Sequence, residues 1–156
     1  MKTIQWLVVS AALVVGMAAP ASAATSDPEV IIYRFPGVAD DGGISFVGTA
    51  TAFHCTNFSG VQENIRFVTR SASNVLANNT VLPIVHLSTI SVTTHLVHAY
   101  AGSSLATGLI AQGTTAIAAT STDIICTAMT IDAAASVPAG VTLRGIRFNP
   151  VPGSQE

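Results

Sequence analysis

The sequence predicts an all-β domain, a Greek-key sandwich of about seven or eight strands closed by one disulfide. Three observations carry that expectation. Short runs of β-branched and aromatic residues recur along the chain, separated by clusters of Gly, Pro, Asn, Asp and Ser. Only Cys55 and Cys126 are available for pairing. Charged residues make up 9% of the chain, and the 71–122 stretch contains none, drawing its polarity from Ser, Thr, Asn and His.

The first segment is read as a leader. Met1-Lys2 is basic, Ile4 to Met17 is largely apolar, Pro20 breaks the run, and Ala21-Ser22-Ala23 offers the small residues a signal peptidase requires. Residues 1–23 are therefore expected to be a cleaved signal peptide and 24–29 a flexible N-terminus. A sandwich domain over 30–150 follows, then a tail over 151–156. No cysteine follows the cleavage site to take a lipid, so a secreted product, periplasmic or extracellular, is expected. Cysteines of an exported chain usually pair, and Cys55 and Cys126 are expected to do so.

The strands follow in order. Val30 to Phe35 is the first, ended by Pro36-Gly37, and Asp40-Asp41-Gly42-Gly43 reads as a turn. Ser45 to Asn57 alternates, with Val47, Thr49, Thr51, Phe53 and Cys55 on one face and His54 on the other. Ile65, Phe67 and Thr69 oppose Arg66, Val68 and Arg70 in the same way. After the Ser71–Asn74 connection, Val75 to Ala77 begins another strand. Ile84 to Thr94 is read as one Ser/Thr-rich strand, and Thr114–Thr120 with Asp123–Asp132 as a close pair. Val141 to Phe148 closes the domain, its four apolar residues facing inward if a bulge forms at Arg144-Gly145. The 95–113 segment fits least well, because Leu96, Val97 and Tyr100 have helical spacing while Gly102 and Gly108 interrupt it. It is read as a long crossing connection with one helical turn, and as the first place to seek a binding surface.

Composition narrows function by exclusion. The lone lysine leaves with the leader, and five arginines face eight acids, so a nucleic-acid footprint is absent. No window after the leader is apolar enough to span a membrane. No G-x-S-x-G elbow, phosphate loop or activated cysteine is present, so no catalytic residue and no cofactor are assigned. His54, His86, His95 and His98 are the metal candidates, the last two through a helical His-x-x-His spacing. Arg66, Arg70 and Tyr100 are the binding candidates, with Arg144 or Arg147 able to enlarge the arginine pair if the last strand lies beside it.

Several segments, Phe53-His54-Cys55-Thr56-Asn57, Asn64-Ile65-Arg66-Phe67-Val68, Val75-Leu76-Ala77-Asn78, Ile125-Cys126-Thr127-Ala128 and Arg147-Phe148-Asn149-Pro150, carry a resemblance. The chain resembles an uncharacterised family of small secreted bacterial proteins with an immunoglobulin-like β-sandwich. The resemblance implies that fold and a Cys55–Cys126 bond, and brings no activity. The expected function is a non-enzymatic interaction or structural module at the cell envelope or outside the cell, with a protein or envelope partner. The alternatives are a self-assembling, pilus-like fibre subunit and a small-ligand or metal-binding domain.

Overall fold

The structure is a computed structural model that describes residues 29–148. The expected leader and C-terminal tail lie outside the described residues. Ten strands and no helix are found among them: β1 (Val30–Asp40), β2 (Thr49–Asn57), β3 (Glu63–Ser71), β4 (Leu76–Ile84), β5 (Thr89–Thr93), β6 (Ser103–Ser104), β7 (Ile110–Ala119), β8 (Ile124–Asp132), β9 (Gly140–Leu143) and β10 (Ile146–Arg147). They form two five-stranded sheets, ordered β10-β1-β7-β3-β4 and β6-β5-β2-β8-β9. Every pairing is antiparallel except β5 with the two-residue β6. No helix among the described residues is long and apolar enough to cross a membrane.

The alternation in the sequence becomes the core. Thr51, Phe53 and Cys55 of β2 face inward, as do Ile65, Phe67 and Thr69 of β3, and all six are buried. Phe53 reaches across from its sheet to Phe35 and Phe67 of the other, with ring centroids 5.8 Å away in each case. Around these rings pack Ile32, Ile84, Val92, Ile117 and Ile124. Cys55 and Cys126 are directly opposite in the β2–β8 register and form the expected disulfide. The bond joins neighbouring strands of one sheet, whereas the antibody-type bridge joins two sheets.

Five local readings are corrected. The first strand does not stop at Pro36-Gly37, and β1 runs on to Asp40 with register shifts against β7. Val47 and Thr49 do not share the inward face of Thr51, Phe53 and Cys55; β2 begins only at Thr49, and both residues are exposed. The Ile84–Thr94 stretch is two elements, because β4 runs through Pro83 and the chain turns at 85–88 before β5. Pro83 is tolerated because β4 is an edge strand, where a missing N–H costs no ladder bond. Strands β7 and β8 do not pair; the Ser121–Asp123 turn carries the chain from one sheet to the other. The last stretch is not one bulged strand but β9 and β10 in different sheets. Gly145 lets the chain cross there, since a Cβ at that position would lie 2.3 Å from the Phe35 ring. The crossing leaves Val141, Ile146 and Phe148 exposed, and aims the half-buried Arg147 at the Thr122 carbonyl.

The 95–113 segment contains no helical turn. It crosses the outer face of the β6-β5-β2-β8-β9 sheet, where Ala50 and Ala52 leave room for it. Val97, Ile131 and Ala133 close over those alanines, with Ala99, Tyr100 and Met129 packed at the margin. The long connection is thus held down by a second, smaller core. From there the chain returns toward β1 and enters β7 at Ile110.

Candidate functional site

One end of the sandwich gathers the irregular backbone. The 41–48 loop between β1 and β2 stands there beside residues 103–109, and between them lies a cleft of about 530 Å³. Asp40, Gly43, Ser45, His95, Ser104 and Gly108 line it. A second cleft of about 300 Å³ adjoins it, walled by Asp41, Thr49, Leu109 and Ile110. The rim is apolar: Ile44 is 78% exposed and Leu109 71%. The backbone is held in unusual conformations on both walls. Phe46 and Ala106 have φ of +70° and +50°, where L-residues with a Cβ meet steric opposition. Such strain persists only where surrounding structure imposes it, and it clusters at sites that bind.

The walls are tied together by Asp40 and His95, 55 residues apart. Asp40 closes β1 with its side chain 1% exposed. Its Oδ1 accepts the Gly42 N–H at 2.7 Å, while Oδ2 accepts the Thr107 hydroxyl at 3.1 Å and lies 3.0 Å from His95 Nδ1. The other ring nitrogen, Nε2, lies 3.1 Å from the Val47 carbonyl oxygen, so the imidazole bridges strand and loop. Asp41 braces the loop from the solvent side, accepting the Gly43 and Thr49 N–H groups. The Thr49 and Gly43 bonds, with His95 nearby, hold the Asp41 carboxyl below the usual carboxylate range. Gly48, at φ +81°, passes so close to Asp41 that a side chain there would collide with the carboxylate.

Asp40, Asp41 and His95 place one potential metal-ligating atom each within 4.8 Å of one another. Yet every carboxylate oxygen already accepts a protein hydrogen bond and both ring nitrogens face protein oxygens. The set is satisfied as a clasp; the expected turn at Asp40–Gly43 is displaced, since Asp40 ends β1 and the chain turns at 45–46.

The four candidate histidines do not converge into one group among the described residues. The helical spacing expected of His95 and His98 is absent, because the extended chain sends them different ways. His95 is buried against Asp40, while His98 stacks on Phe46 with ring centroids 4.5 Å apart. His54 lies on the outer face of β2, its Nδ1 2.9 Å from the Ser91 hydroxyl and its ring edge-on to Tyr100. Burial pushes the His54 imidazole below its ordinary range. His86 accepts the Gly60 N–H in the turn at the far end. Tyr100 is part of the second core and donates to Met129 Sδ at 3.4 Å.

Arg66 and Arg70 do share the outer face of β3. Arg66 is paired with Glu29, which raises its guanidinium pKa, and it also donates to Asn79 Oδ1. Arg70 donates to the Asn74 carbonyl. Arg147 does not enlarge the pair, because β10 sits at the opposite edge with β1 and β7 intervening, roughly 14 Å at normal strand spacing. Arg34 of β1 is the nearer cation on that face, its guanidinium over the Phe148 ring.

Comparison with protein-family models, curated proteins and solved structures finds no match for this chain.

Proposed function

We propose that this chain is an exported, non-enzymatic binding module of immunoglobulin-like Greek-key type, engaging a protein or envelope partner through the cleft end of its sandwich. The observation that carries the reading is the cleft itself, bounded by two loops with imposed backbone conformations and exposed apolar side chains. Rigid sheets with binding loops at one end are a recurrent division of labour in β-sandwiches. Export is supported by the leader sequence and by the disulfide. The bridge within one sheet departs from the antibody pattern, so the likeness concerns the sandwich and not its cross-link.

The fibre-subunit reading draws on the uncharged 71–122 stretch, but the edges give it little to work with. Strands β6 and β10 have two residues each and β9 has four. The nine-residue edge β4 is interrupted by a register shift opposite Thr69–Arg70 and by Pro83. Bulges, prolines and short edges are the usual barriers to strand pairing between chains. Sedimentation velocity on the mature protein over a concentration series is therefore expected to give one monomeric species throughout. Species that grow with concentration would replace the binding-module reading with assembly through β4.

A further inference from the structure

We propose that His95 is a proton-operated latch, whose doubly protonated ring ties the 41–48 loop to the sandwich and whose deprotonation releases that loop. The proposal concerns the motion of the loop and stands whether or not the cleft takes a ligand.

A neutral imidazole has one N–H donor and one lone pair, while the imidazolium has two donors. Both atoms facing the His95 ring are acceptors: Asp40 Oδ2 at 3.0 Å and the Val47 carbonyl oxygen at 3.1 Å. Only the imidazolium satisfies both. When the ring loses a proton, the bond to the Asp40 carboxylate is the one retained, because charge-assisted hydrogen bonds are stronger. The Nε2 lone pair then points at the Val47 oxygen, and an attraction becomes a repulsion.

The loss falls on the middle of the loop, between ends held by the Asp41 carboxylate bonds to Gly43 and Thr49 and by the Ala133 N–H bond to the Gly48 carbonyl. Across to the 94–109 connection it has the Phe46 N–H bond to the Leu96 carbonyl and the Phe46–His98 stack. Against them stands the left-handed backbone of Phe46, which an untied loop can relax. With Ile44 at 78% exposure, no buried side chain anchors the tip. Asp40 keeps its Gly42 and Thr107 bonds in either state, so the β1 side of the clasp stays in place.

The charged and titratable groups around the ring are few. Asp40 faces it from β1 and Asp41 from the loop. His98 touches the same loop through Phe46. The connection itself brings no Asp, Glu, Lys or Arg. Histidine is the side chain whose charge ordinarily changes between about pH 5 and 8, which sets the range over which the latch is tested.

Amide hydrogen exchange of the mature protein, from about pH 5 to about pH 8 and normalised to intrinsic rates, tests this. Protection of the Phe46 amide should fall about tenfold or more as pH rises, the equivalent of one lost charge-assisted bond. Amides of β3 and β7 should not change. His95→Gln should give a flat loop profile, while His98→Gln should keep the dependence. A flat profile in the unmodified protein overturns the proposal, even if His95→Gln does not fold. So does a dependence that disappears with His98→Gln, or a loss of protection shared by the whole domain.

Discussion

Replacing Cys55 and Cys126 together with serine is expected to lower stability by about 4 kcal/mol, a large share of the roughly 5–15 kcal/mol that holds a domain folded. The cysteines are 71 positions apart, and the bond removes the closure entropy of that loop from the unfolded chain. Both sites are buried, so two hydroxyls would also enter an apolar environment. Urea denaturation of oxidised, reduced and double-serine protein separates the contributions. Reduction alone reports the cross-link, and the serine pair adds the buried hydroxyls. Equal midpoints for all three would mean that β2–β8 pairing holds the sheet without the bond.

Phe53→Ala is the second large effect, expected at about 3–5 kcal/mol by the same denaturation. Phe53 is fully buried and belongs to one sheet, while Phe35 and Phe67, its ring neighbours, belong to the other. Truncation removes the side chain that joins the two layers and leaves a cavity between β-strands that cannot close over it. Thr127→Ala, on the outer face of β8, should stay within about 0.5 kcal/mol and serves as the control. A loss below about 1 kcal/mol at Phe53 would mean that the sheets are not packed through these rings.

What the sequence reveals and conceals follows from the range of each interaction. The faces of β2 and β3 are legible because a two-residue period needs no partner to be recognised, and Phe53, Cys55, Ile65 and Phe67 take their places accordingly. Pairing is not legible. Nothing near Ser121–Asp123 announces a change of sheet instead of a hairpin, and Gly145 could equally mark a bulge or a crossing. The helical spacing of Leu96, Val97 and Tyr100 misleads because that segment is buried by the outer face of a sheet, and not by a stripe of its own. The 95–113 connection supplies His95, Ser104, Ala106 and Gly108 to the cleft, but the partner of His95 is hidden in Asp40. That residue reads locally as the start of a turn, and its tie to His95 exists only once β1 and the crossing connection are brought together. Arg66 and Arg70 show the converse: their shared face is legible, while the Glu29 and Asn79 contacts of Arg66 and the distance to β10 require the folded chain.

The central claim is that the cleft end meets a partner. The most direct measurement is photocrosslinking in the exporting cell, with a photoreactive residue placed in turn at Ile44, Leu109 and, as control, Thr127. Ile44 and Leu109 are the exposed apolar rim, whereas Thr127 lies on an outer sheet face. A discrete adduct from Ile44 and Leu109, absent from Thr127, is the predicted result. Adducts from Thr127 alone, or none from either rim position, would contradict it and move the working surface away from the loops.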